Sequence, residues 1–159
     1  LDAALIALPY DVQNIETLSL MEDEFLFAAH PDHALAKADP LTPDRVSGET
    51  LLLLEDGHCL RDHALAMCSA SRPGEDSARS DFAATSLHTL VQMVKSGLGA
   101  TLLPKLAVDA GLADHLDLAI RRFDPPVSGR SLGMAWRKGS ARAEEAKALG
   151  ADIKTAMGG

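Results

Sequence analysis

The sequence predicts an α/β fold with a largely parallel sheet, and three observations support that expectation. Short apolar runs of strand length alternate with stretches of helical periodicity along the whole chain. The 159 residues are 47% hydrophobic and 24% charged, ordinary globular usage with enough material for one domain or two small lobes around a buried core. Aromatic residues make up only 4%, so that core rests on Leu, Ala, Val and Ile. No internal repeat or low-complexity tract interrupts the alternation.

Ala3 to Leu8 is an apolar run that reads as a buried strand. Glu16 to Leu20 and Glu24 to Ala29 read as further strands, Phe25, Phe27 and Ala29 alternating in the second. His30-Pro31-Asp32-His33 is a turn. Thr42 ahead of Pro43 offers a capping hydroxyl and a proline at the first helical position, which predicts a short helix over Asp44 to Val46 ended by Gly48. Leu51 to Leu54 is continuous enough for a strand buried on both faces. A polar loop, Glu55-Asp56-Gly57-His58, leads into a helix from Cys59 to about Ser69, with Leu60, Ala64 and Met67 spaced by four and three.

Ser71 to Ser80 is loop, marked by Pro73 and Gly74, and Asp81 to Ala84 a short strand. Ser86 caps a helix in which Leu87, Leu90, Val91 and Val94 form a core stripe, ended by Gly97 and Gly99. Ala100 to Leu103 is a strand and Pro104 opens another helix. Leu116 to Ile120 and Leu132 to Trp136 are strands, with Pro125-Pro126 and Gly129 marking a crossover before the second. Ala141 to Met157 is an Ala/Glu/Lys-rich terminal helix.

The formal net charge of −8 sets the chain against binding phosphate backbones by itself. No apolar run reaches the length of a membrane span, so no membrane partner is expected. Leu1 to Leu8 lacks the basic region of a signal peptide, and a start on a strand without Met reads as a fragment of something longer. The expected compartment is the reducing cytoplasm. Two cysteines there form either a functional pair or two free thiols, since a structural disulfide suits an oxidising compartment.

Cys59 carries the most chemical information. A thiol reacts as its thiolate, and Cys59 stands at a predicted helix start, where free amide N–H groups and the helix dipole favour negative charge. His58 and Arg61 add positive charge nearby; Asp62 opposes it or orients them. Cys68, among Ala66, Met67 and Ser69, has no basic neighbour and reads as the less reactive thiol. Oxidation would begin at Cys59 as a sulfenic acid and be resolved by Cys68 to a disulfide. If one helix holds both, their Cα atoms are separated by a rise of roughly 13 Å and lie on opposite faces. A disulfide needs about 7 Å or less, so the bond requires the helix to unwind or bend, as a switch does.

Plainer readings compete. A cysteine is often a small buried hydrophobe, a reading that weighs more for Cys68 than for Cys59. His58, Cys59, His63 and Cys68 could supply metal ligands, and Cys59 and His63 share a face at i, i+4, but the spacing matches no common zinc pattern. No metal or other cofactor is expected. Thr85 and Ser86 read first as a helix cap, although a helix start can also hold a small anion.

The segment Leu51 to Asp62, with Cys68 beyond it, resembles the regulatory domains of the peroxide-sensing LysR-type transcriptional regulators. His30 to Ala36, Ala84-Thr85-Ser86-Leu87 with Thr89-Leu90, and Gly97 to Pro104 are similar to the general LysR-type effector-domain pattern, so the resemblance covers nearly the whole chain. It implies two periplasmic-binding-protein-like α/β lobes joined at two crossovers. Residues 1–20 would belong to the first lobe, 21–128 would form the second with both cysteines, and 129–159 would return to the first. It implies Cys59 as peroxidatic and Cys68 as resolving cysteine, with His58, Arg61, Asp62 and Arg130 around the peroxide. The family's effector domain has a further strand–helix section before the position of Leu1, so the first lobe is expected to be incomplete.

The implied activity is not enzymatic. Hydrogen peroxide would be sensed, a homodimer or homotetramer would repack, and a thiol reductant would reset the pair. DNA would be contacted only through a separate N-terminal domain, with RNA polymerase as the downstream partner. Two rivals remain: a metabolite-binding effector domain holding a carboxylate at Thr85-Ser86 with passenger cysteines, and a thiol peroxidase.

Overall fold

The computed structural model describes residues 1–9, 13–56, 59–71, 83–127 and 129–157, with side chains in the 59–71 helix described through Met67. In chain order come β1 (Ala3–Leu8), β2 (Ile15–Asp23), β3 (Phe25–Ala29), a 3-10 turn at Ala34–Lys37, α1 (Pro43–Val46) and β4 (Leu53–Leu54). Then follow α2 (Cys59–Ser71), β5 (Ala83–Ala84), α3 (Leu87–Lys95), β6 (Thr101–Pro104), α4 (Lys105–Asp109), β7 (Ala119–Arg121), β8 (Arg130–Arg137) and α5 (Ala143–Ala156). The predicted loop at 71–80 and the first half of the predicted strand at 81–84 fall outside the described residues, apart from Ser71 at the end of α2.

The chain divides into two units, Leu1–Asp23 with Arg130–Gly159, and Glu24–Gly129. The sequence reading put these divisions at 20/21 and 128/129. They fall later because β2 runs on to Asp23, which pairs with Arg130 at the first position of β8.

In the first unit β8 lies between β1 and β2 and is antiparallel to both. α5 packs on β2 and β8 and closes a small core of Leu20, Met134, Trp136 and Ala146, bordered by Leu18 and Ile153. Gly150 lets the helix come close: a Cβ there would lie 2.7 Å from Leu18 Cδ2. The Trp136 indole N–H donates to Glu16 Oε2 at 2.9 Å, which satisfies its one polar atom.

In the second unit β3 is flanked by β6 and β7, again antiparallel. All five residues of β3 are buried, which is why Phe25-Leu26-Phe27-Ala28-Ala29 has no polar member. Around it lies the main core, including Leu41, Val46, Leu51, Leu52, Leu90, Val91, Val94 and Leu103.

The expected largely parallel sheet is corrected: among the described strands only β4 and β5 pair in parallel, supplemented by a parallel bridge between Leu51 and Ala100. Helix–strand alternation does not by itself choose a strand's partner. β8 arrives from the far end of the chain to sit between β1 and β2, and β3 accepts two strands that run against it. Parallel pairing needs a long crossover, and it appears where a helix supplies one, α2 between β4 and β5. Thr42 is a second correction. It makes no side-chain cap bond; its carbonyl instead accepts from the Arg45 amide at 3.1 Å, and Pro43 alone shapes the helix start.

Candidate redox site on helix α2

α2 is the crossover helix of the parallel β4–β5 pair and packs against α1 and β4. Leu60 and Ala64, four residues apart, are buried and fasten one face of it to the core. Cys59 is the first helical residue, exposed and free of any disulfide. Its position puts it beside first-turn amides that have no partner within the helix.

The Arg61 guanidinium is committed to the preceding segment. Its NH1 donates to the Leu54 carbonyl at 2.9 Å, and its Nε lies 2.9 Å from Asp56 Oδ1. These contacts tie the start of α2 to the end of β4, so Arg61 serves the helix's position and part of its charge is answered by Asp56. Asp62 is exposed in the first turn. His58 and Gly57 lie outside the described residues, as does the side chain of Cys68. The backbone of Cys68 belongs to the same unbroken helix as Cys59.

Arg130 sits in the first unit. Its Nε donates to Asp23 Oδ2 at 3.1 Å, and the Asp23 side chain is only 1% exposed. The guanidinium therefore serves a buried carboxylate where the two crossover strands meet. Thr85 is exposed. Ser86 caps α3: its Oγ accepts from the Thr89 amide at 3.2 Å and lies 3.1 Å from Thr89 Oγ1. A cavity of about 690 Å3 opens in the first unit, with Leu1, Ile6, Asn14, Trp136 and Arg137 among its lining residues, and it contains none of the candidate residues. His63 was named from the sequence only as a metal-ligand alternative. Its Nδ1 is buried and lacks a hydrogen-bond partner among the described residues.

The chain matches the LysR substrate binding domain family over residues 1–158. A probable hydrogen peroxide-inducible genes activator of Streptomyces viridosporus is 37% identical over 157 residues, 99% of this chain and 50% of that protein. The DNA-binding transcriptional dual regulator OxyR of Escherichia coli is 35% identical over 159 residues, 100% of this chain and 51% of that protein. The chain thus spans about half the length of the curated relatives it matches. The reduced regulatory domain of OxyR2 from Vibrio vulnificus superposes with a TM-score of 0.82 at 34% identity, covering 98% of this chain and 71% of that one. The reduced OxyR regulatory domain from Pseudomonas aeruginosa gives a TM-score of 0.79 at 30% identity, covering 98% and 73%. The chain belongs to the LysR substrate binding domain family, and over nearly its whole length it is similar to the regulatory domains of OxyR.

Proposed function

We propose that this chain is the redox-sensing regulatory domain of a hydrogen peroxide-responsive LysR-type transcription activator, with Cys59 as the thiol that peroxide oxidises and Cys68 as the thiol that resolves it. The observation that carries the reading is the placement of Cys59: exposed, at the first position of α2, with Cys68 nine residues further along the same helix. The relative named as a probable hydrogen peroxide-inducible genes activator suggests the oxidant, and the one named as a DNA-binding transcriptional regulator the output.

The chemistry balances with peroxide alone as oxidant. The Cys59 thiolate attacks one peroxide oxygen; an S–O bond forms, the O–O bond breaks, and hydroxide leaves to be protonated to water. Sulfur has lost two electrons and peroxide has gained them. The Cys68 thiolate then attacks the sulfenic sulfur, an S–S bond forms, and the S–OH oxygen departs as a second water. On a straight helix the two Cα atoms are roughly 13 Å apart, against about 7 Å for a disulfide, so the second step must unwind α2. Because α2 is the β4–β5 crossover, unwinding reaches the sheet. A changed surface there would alter how copies of the domain pack and, in the whole protein, how a DNA-binding domain and RNA polymerase are engaged. A thiol reductant returns the pair to its starting state.

The test is peptide mass spectrometry after one equivalent of hydrogen peroxide. A Cys59–Cys68 disulfide is expected. It disappears in Cys59→Ser, while Cys68→Ser accumulates a trappable sulfenic acid at Cys59. Two thiols unchanged in excess peroxide refute the reading.

A further inference from the structure

We propose that Arg61 is a positioning residue that latches the reduced form: its guanidinium holds the first turn of α2 against the end of β4, and this hold must open before Cys59 and Cys68 can join. The inference rests on the disulfide of the reading above and names a contact that governs its formation.

Arg61 is in the first turn of α2, two residues after Cys59. Its Nη1 donates to the carbonyl of Leu54, the last residue of β4, at 2.9 Å, and its Nε lies 2.9 Å from Asp56 Oδ1. The first contact reaches back seven residues, so the chain closes on itself with Cys59 inside the loop. The Arg61 side chain is 24% exposed, against 62% for Arg142. Its acceptor is stationary: Leu54 is buried and paired with Ala84 of β5.

The fastenings of α2 through Leu60 and Ala64 are apolar. Apolar packing is non-directional and keeps part of its value when a helix shifts. A hydrogen bond weakens steeply once its length and angle are lost. Arg61 lies between the two cysteines, in the segment that must unwind to bring their Cα atoms from roughly 13 Å to about 7 Å. It cannot follow that movement and still meet a carbonyl fixed in β4. The bond to Leu54 is charge-assisted and therefore stronger than a neutral one. Asp56 adds less, because its side chain is 93% exposed and solvent screens the pair. Arg61 thus stabilises the reduced form alone and raises the reduction potential of the pair.

The test equilibrates the original chain, Arg61→Gln, Arg61→Lys and Asp56→Asn in graded mixtures of reduced and oxidised dithiothreitol, and measures the disulfide fraction by mass. Arg45→Gln, which removes an exposed arginine from the neighbouring α1, controls for charge alone. Arg61→Gln should favour the disulfide about tenfold, the lower end of what a hydrogen bond to a charged group contributes. For a two-electron couple that is a potential lower by about 30 mV. Arg61→Lys should recover part of the shift, Asp56→Asn should give about a twofold change, and Arg45→Gln none. In the original chain, phenylglyoxal should label Arg61 more slowly than Arg142 while the thiols are reduced, and at a similar rate once the disulfide has formed. Equal potentials for Arg61→Gln and Arg45→Gln would overturn the proposal and leave the disulfide standing. So would Arg61 labelling that oxidation does not change. No disulfide in the original chain in any mixture would sink the redox reading, and the latch with it.

Discussion

If the Cys59–Cys68 bond requires α2 to leave its seat, side chains that hold α2 down oppose oxidation. Leu60 is 9% exposed and Ala64 3%, and both face the main core. Truncating a buried leucine costs about 2 kcal/mol at the lower end of the observed range, which suits a residue in the first turn of a helix. Leu60→Ala should impose that cost on the reduced form alone, because in the oxidised form α2 is undocked and the leucine has already lost its packing. The disulfide becomes easier to form by the same amount. For a two-electron couple about 30 mV corresponds to about 1.4 kcal/mol, so the reduction potential should fall by roughly 40 mV. Ala64→Gly costs a helix about 1 kcal/mol and should lower it by roughly 20 mV. Val94→Ala, in a core position on α3, weakens both redox states alike and should leave the potential unchanged. The assay equilibrates each variant in graded dithiothreitol buffers, quenches with acid and measures the disulfide fraction by mass. Equal potentials for Leu60→Ala and Val94→Ala, or a higher one for Leu60→Ala, would refute the argument that α2 must undock.

Three further outcomes are expected. Arg130→Ala withdraws the guanidinium from the buried Asp23 carboxylate and should cost about 3 kcal/mol in urea unfolding, with Arg130→Lys recovering part of it. Gly133→Ala places a methyl 2.5 Å from Leu8 Cδ1 and 2.9 Å from the Leu18 carbonyl oxygen; β8 must shift, and thermal melting should show a loss of about 2 kcal/mol. Ser86→Ala removes the bond from the Thr89 amide and should cost about 1 kcal/mol; a larger thermal stabilisation by small carboxylates in the original chain than in this variant would favour a ligand role for the α3 start.

Much of the fold was legible in the residue pattern because local periodicity carries it. The core stripe Leu90, Val91 and Val94 identifies the buried face of α3, and Ser86 caps that helix as its position suggests. The apolar run at Phe25 marks the strand β3, but its expected alternation of Phe25, Phe27 and Ala29 gives way to burial of all five residues, because the core closes over both faces. α2 begins at Cys59, where the polar loop ends. What was misread depends on distant partners. Thr42 resembles a cap, but its hydroxyl goes unused in a helix of four residues. The parallel expectation failed because β8 pairs with strands more than a hundred residues earlier, a choice that no local window contains.

The candidate site divides in the same way. From the sequence alone came Cys59 as the candidate reactive thiol, its helix start, the second cysteine nine residues later and the conflict between their spacing and a disulfide. These follow from residue identity and helix geometry, both local. The tertiary structure decided where the charges go. Arg61 turns to Leu54 and Asp56, Arg130 goes to Asp23, and His63 is left with a buried, unpartnered nitrogen among the described residues. A long cationic side chain can satisfy many acceptors within its reach, and only the folded chain determines which carbonyl or carboxylate lies there.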